Sequence, residues 1–86
     1  MEDEVKEIYE GECIMEGAKF LLIIYESGKL KLTWYYHDRV EERVNPKFEE
    51  CGKGLRLVFG TEKYYSSIPF KTYHEGTLDK RWTKIK

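Results

Sequence analysis

The feature that most restricts the fold is an apolar run followed by a turn signal and a segment of alternating polarity. Residues 20–25, Phe-Leu-Leu-Ile-Ile-Tyr, are all apolar or aromatic. A run this short is typical of a buried β-strand, because a helix would need a longer segment. In residues 29–36 apolar and polar side chains alternate, as in a strand with one face in a core. The two segments predict a β-hairpin.

The length of the connecting loop decides which side chains of the hairpin share a face. A two-residue loop would place Ile24 opposite Lys31. A three-residue loop ending at Gly28 would place Ile24 opposite Leu30 and gather the apolar residues on one face. It would also put glycine where a left-handed backbone is needed. We therefore predict the three-residue loop.

This register leaves a second apolar face on the first strand of the hairpin. Leu21, Ile23 and Tyr25 would point away from the core. Apolar side chains in such a group need cover from another element or from a partner. We expect these three residues to form an interface.

The segments around the hairpin also predict strands. A tight turn at 16–17 would make residues 5–15 the first strand, with Cys13 opposite Phe20 and with Tyr9 on the core face. The alternation after residue 36 would give too long a strand, so we expect a bend at 37–38. Further strands are expected at 39–45, 55–59, 63–68 and 70–74.

Three other segments have distinct signals. The polar residues 47–53 are predicted to be a loop. Pro69 cannot donate a ladder hydrogen bond, so its strand either ends there or lies on a sheet edge. Leu78, Trp82 and Ile85 are spaced as on a helical stripe, which predicts a C-terminal helix docked on the face of residues 21, 23 and 25.

Together these signals predict a mainly β fold in a single domain spanning residues 1–86. We expect a small antiparallel meander forming a rolled sheet or barrel of about six to seven strands. One short C-terminal helix would pack on it. A domain this size buries somewhat over ~60% of its unfolded surface, so the core is modest.

Composition narrows the setting of the protein. The longest apolar run is far shorter than the 18 residues of a membrane span, and the acidic N-terminus does not resemble a signal peptide. We therefore expect a cytoplasmic protein with no membrane partner. The many Glu and Lys residues, with no Gln and one Asn, are typical of heat-adapted proteins.

Charge is balanced overall but is unevenly distributed. Residues 1–43 contain six basic and eleven acidic side chains, and residues 44–86 contain nine basic and five acidic ones. The two halves have opposite net charges and can attract each other within the fold. The chain lacks the overall basic character that would indicate nucleic-acid binding by itself.

The sequence contains no recognisable catalytic or metal motif. His37 and His74 each precede an acid, but neighbouring strand residues point to opposite faces, so neither pair forms a dyad. The spacing of these histidines and of Cys13 and Cys51 matches no compact zinc motif. We expect no catalytic residues, no metal and no cofactor.

A basic and aromatic stripe is the sharpest functional signal. Several cations and one aromatic side chain in residues 29–43 are expected to face outward. Its members are Lys29, Lys31, Tyr35, His37, Arg39 and Arg43, and Tyr65 is a further exposed candidate. Such a face suits phosphates and stacked bases, although charged strand faces are often simply solvated.

Two functional hypotheses follow. The first is a non-catalytic binding module that acts through a protein–protein interface, as an inhibitor or adaptor or as a homodimer. The doubly apolar strand and the aromatic content favour it. The alternative is a single-stranded nucleic-acid-binding protein that uses the stripe around Lys31, Tyr35, His37 and Arg39. The residues alone leave both hypotheses open.

Overall fold

Two open antiparallel sheets make up the part of the chain that the computed structural model describes, residues 3–13, 17–52, 54–60, 66–72 and 76–86. Its strands are β1 (Val5–Cys13), β2 (Ala18–Tyr25), β3 (Leu30–Tyr36), β4 (Arg39–Val44), β5 (Lys47–Cys51), β6 (Gly54–Val58), β7 (Ser67–Thr72) and β8 (Trp82–Lys84). The larger sheet has the order β4-β3-β2-β1-β8 and the smaller has the order β5-β6-β7. The predicted mainly β, antiparallel fold is confirmed. The described strands do not close into the expected barrel.

The predicted hairpin is confirmed in its register. Ile24 lies opposite Leu30, as the three-residue loop requires. Gly28 has φ +92°, and its N–H donates to the carbonyl oxygen of Tyr25 at 2.9 Å. The bend is also where it was predicted, with His37 at φ +55° between β3 and β4.

The first strand has the predicted faces but a different register. Cys13 lies opposite Ala18 and not opposite Phe20, a shift of two positions. Because strand side chains alternate with a period of two, this shift keeps residues 7–13 on their expected faces, while a bulge between Val5 and Glu7 places Val5 opposite Tyr25. Tyr9 accordingly points into the core, with its ring edge-on to that of Phe70 at 5.3 Å between centroids.

The core lies between the two sheets and is rich in aromatic rings. Leu22 and Leu32 from the larger sheet and Leu57 from the smaller are fully buried. The ring of Phe59, just after β6, contacts that of Phe20 at 5.3 Å between centroids. We call the face of the larger sheet that makes these contacts the inner face, and the opposite face the outer face.

The predicted C-terminal helix is wrong. Residues 82–84 form β8, which pairs with β1 and places Trp82 opposite Gly11. Trp82 is buried, and its indole Nε1 donates to the carbonyl oxygen of Pro69 at 2.7 Å. Asp79 accepts a hydrogen bond from the backbone N–H of Arg81, which closes a turn before β8. The edge of β1 offers backbone hydrogen-bonding groups to β8, and the indole of Trp82 fits against Gly11. Together these interactions outweigh the weak preference for a helix that the spacing indicates.

The smaller sheet includes another departure from prediction. Residues 47–51 form β5 and not a loop. All five residues are exposed, and their sequence has no alternation of apolar and polar residues that would predict a strand. The ring of Phe48 nevertheless contacts that of Phe70, at 5.2 Å between centroids. Pro69 lies within β7, an edge strand, which agrees with the edge alternative. Two strands were predicted, at 63–68 and 70–74, but Ser67–Thr72 is one strand that continues through Pro69. Residues 63–65 and 73–74 lie outside the described residues.

Candidate interaction surface on the five-stranded sheet

The outer face of the five-stranded sheet presents apolar side chains on several neighbouring strands. Its centre is β2, which has β3 on one side and β1 on the other. Leu21, Ile23 and Tyr25 of β2 lie on this face, because their neighbours Phe20 and Leu22 point into the core. All three side chains are half-buried.

The apolar character extends sideways across the whole sheet. Ile23 lies opposite Ile8 on β1 and opposite Lys31 on β3, and Lys31 lies opposite Val44 on β4. On the far side, the backbone N–H of Ile85 donates to the carbonyl oxygen of Ile8. Val44 is 48% exposed and Ile85 is 54% exposed. A row of aliphatic side chains, interrupted only by Lys31, therefore crosses the outer face from one edge to the other.

No described strand covers this row. The strands that contact β2 are its two neighbours in the sheet, and the smaller sheet packs on the inner face. The helix that was expected to dock on this face is instead β8, which extends the sheet edge. Among the described elements, the outer face is thus without a covering layer.

Charged side chains on the outer face are separated by strand. Glu10 and Glu12 of β1 are exposed. Lys31 of β3 lies on the other side of β2, and Lys19 stands at the end of β2 opposite Glu12. A shallow depression of about 390 Å³ lies among Glu10, Glu12, Lys19 and Tyr35. The face therefore has exposed acids on β1 and cations on β2 and β3, and Glu42 of β4, opposite Thr33, is a further exposed acid beyond these cations.

The structure does not bring the predicted basic stripe onto one face. Lys31 and Tyr35 lie on the outer face of β3. Tyr36 pairs with Arg39 across the two-residue turn, so Arg39 and Arg43 lie on the inner side of β4. The Nε of Arg43 donates to the carbonyl oxygen of Phe59 at 3.3 Å.

The remaining stripe candidates are placed elsewhere. The ring of His37, in the turn, contacts that of Tyr36 at 4.2 Å between centroids. The ammonium of Lys29, in the β2–β3 loop, lies 5.7 Å from the ring centroid of Tyr25. Tyr65 lies outside the described residues.

A groove between the sheets was not anticipated from the sequence. It encloses about 670 Å³ and is lined by Trp34, Tyr36 and Phe59, with Arg39 and Arg56 among the polar residues. Both guanidinium groups already have partners, since Arg39 lies 3.7 Å from a carboxylate oxygen of Glu41 and the Nε of Arg56 donates to a serine hydroxyl. The groove takes residues from both sheets, which are far apart in sequence, so local patterns do not reveal it.

Groups suited to catalysis are scattered in the described part of the chain. No three His, Cys, Asp or Glu side chains there are close enough to hold a metal ion. Cys13 and Cys51 are free thiols, and His74 lies outside the described residues. Burial and a 2.8 Å hydrogen bond from the Tyr9 hydroxyl to Glu7 raise the pKa of Tyr9 to about 12. Tyr9 is therefore protonated at neutral pH, with its ring packed against Phe70 in the core.

None of the described segments is a helix of the length and apolarity that a membrane span requires. Comparisons with protein-family models, with curated proteins and with solved structures find no match to this chain.

Proposed function

We propose that the protein is a non-catalytic binding module that buries the outer face of its five-stranded sheet against a protein partner. The observation that supports this most directly is the aliphatic row from Ile85 through Ile8 and Ile23 to Val44, with no described strand above it. Monomeric soluble proteins seldom leave apolar patches of more than a few hundred Å² exposed unless the patch binds something.

The dimensions of the face suit a protein. Five strands about 4.8 Å apart and some seven residues long span roughly 24 Å by 22 Å, or about 500 Å² before side-chain relief is counted. Small ligands bind in concave sites that enclose most of their surface. A broad pleated face with an aliphatic row next to the charged residues Glu10, Glu12 and Lys19 has the mixed apolar and polar character of a protein interface.

The strand register gives the nucleic-acid alternative less support. Its stripe needed a cationic and aromatic face, but Lys31 and Tyr35 lie on the opposite side of the sheet from Arg39 and Arg43. The outer face also contains the acids Glu10 and Glu12, which repel phosphates.

Photo-crosslinking at two neighbouring residues tests the proposal. Tyr35 and Tyr36 are 43% and 41% exposed but lie on opposite faces of β3. Each is replaced in turn by p-benzoylphenylalanine, which is also aromatic and forms covalent adducts with nearby C–H groups on irradiation. Cells that naturally produce the protein are irradiated, and adducts are detected by immunoblot and mass spectrometry.

Protein adducts from position 35, with few or none from position 36, are expected. Position 36 is the matched control, because it has the same kind of side chain and nearly the same exposure. No protein adduct from position 35, or equal adducts from both positions, would contradict the proposal. Nucleic-acid adducts from position 35 would instead support the alternative function.

A further inference from the structure

We infer that the occupant of the outer face is a second copy of this chain, in a face-to-face dimer whose two-fold axis runs along β2. This inference depends on the proposed protein-binding role of the outer face. It adds the identity of the partner and the orientation in which it binds.

The available area meets the need of a dimer. A face of about 500 Å² before relief, covered on both copies, buries about 1,000 Å² or somewhat more in total. Specific interfaces start near that value, while crystal contacts mostly bury less than about 800 Å². Two twisted sheets packed face to face align within about 30° and lie about 10 Å apart, so the outer faces of two copies can interdigitate as sandwich sheets do.

The charge distribution selects between the two symmetric ways to align the strands. If the two-fold axis ran across the strands at the row of Leu21, β1 would cover β1 of the other copy and Glu10 would face its own equivalent. If the axis runs along β2, β1 covers β3 of the other copy. Glu10 then comes within side-chain reach of Lys31, because these residues occupy adjacent rows on either side of β2. Opposite charges favour the second arrangement.

The apolar residues agree with the same axis. Rows are preserved by a rotation about β2, so Ile23 and Leu21 meet their own equivalents at the centre. In the row of Ile23, the two ends exchange places, so Val44 at one edge covers Ile85 at the other. Both of these edge residues are about half exposed in the single chain, and both gain an aliphatic neighbour in the dimer. Lys19 also approaches Lys19 of the other copy. This contact is at the end of β2, where Glu12 of the same chain lies beside Lys19 and offsets part of the repulsion.

Opposite charges at one axial position test the symmetry directly. The purified full chain, Ile23→Glu and Ile23→Lys are examined by sedimentation equilibrium, separately and as an equimolar mixture. The unmodified chain is expected to have twice the mass of one chain. Each variant alone places like charges against each other, which weakens association by about a hundredfold or more. The mixture pairs Glu with Lys and is expected to regain the dimer mass.

A second pair of variants tests the orientation and does not alter the apolar residues. Glu10→Lys and Lys31→Glu should each dissociate more readily alone, while their mixture should form a heterodimer with both attractive contacts restored. Near-ultraviolet circular dichroism from the two tryptophans, Trp34 and Trp82, verifies the fold of every variant. If the Ile23 variants do not fold, the Glu10 and Lys31 pair decides.

Three results would overturn the dimer. These are a monomeric unmodified chain at about 100 μM, Ile23 variants that stay dimeric, and mixtures that do not restore association. A monomer that still gives Tyr35 adducts with a different protein would refute the dimer and leave the proposed function standing. A monomer that gives no adduct at either site would refute both.

Discussion

Gly11→Ala should destabilise the fold by closing the space in which the Trp82 ring lies. A Cβ atom built on Gly11 would be 2.8 Å from two indole carbons of Trp82 and 2.9 Å from a third. Non-bonded carbons prefer separations of about 3.5–4.0 Å, so the added methyl group would be at least about 0.6 Å too close to each.

The indole cannot simply move away. Its Nε1 donates to the carbonyl oxygen of Pro69 at 2.7 Å, and the ring of Phe70 lies 5.2 Å from it between centroids on another side. Overpacking of this kind costs about 1–3 kcal/mol. Replacing a strand glycine by alanine recovers about 0.5–1 kcal/mol of chain entropy. We therefore expect Gly11→Ala to lower the free energy of unfolding by about 1–2 kcal/mol.

Urea unfolding followed by circular dichroism measures the change, which corresponds to a midpoint shift of about 0.5–1 M. A double-mutant cycle that combines Gly11→Ala with Trp82→Leu tests whether contact with the indole causes the loss of stability. In that background the methyl group has room, so Gly11→Ala should be neutral or slightly stabilising. If Gly11→Ala is harmless in the unmodified chain, or equally harmful in both backgrounds, the indole does not lie on Gly11 and the placement of β8 is wrong.

Two further outcomes concern the hairpin loop and the core tyrosine. Gly28→Ala should lower the free energy of unfolding by about 1–2 kcal/mol in the same urea assay, because Gly28 has φ +92° and an L side chain is strained there; an unchanged midpoint would contradict the loop. The phenol of Tyr9 should titrate at about pH 12 in an ultraviolet titration, and Tyr9→Phe should remove this component. The unfolded chain releases that proton near pH 10, so its contribution to stability is complete below pH 10 and is lost as pH rises to about 12. A Tyr9→Phe protein with the same decline in stability over this interval would show that Tyr9 is not the cause.

Local signals in the sequence predicted the central hairpin correctly. The alternation of residues 29–36 and the position of Gly28 fix a short-range contact, and only the three-residue loop puts Ile24 and Leu30 on one face. The register of β1 was beyond that reasoning. A shift of two positions leaves each side chain on the same face. The pattern of polar and apolar residues therefore cannot distinguish pairing of Cys13 with Ala18 from pairing of Cys13 with Phe20.

The errors come from long-range partners and from one turn. The spacing of Leu78, Trp82 and Ile85 suits a helix, but the open edge of β1 and the gap at Gly11 are some seventy residues away in sequence. The residues of the predicted basic stripe do not share one face, and the reason is local. Two residues form the turn after β3, so Arg39 pairs with Tyr36 and points inward, whereas unbroken alternation would have placed it with Tyr35. The expected bend at residues 37–38 already required this reversal.

The pairing of β8 with β1 has a consequence for biosynthesis. The sheet that starts to form from the first forty residues keeps one edge of β1 unsatisfied until Trp82 has left the ribosome. Joining segments so far apart carries a large loop-closure entropy and slows folding. During translation the nascent chain therefore exposes a strand that other nascent copies can pair with.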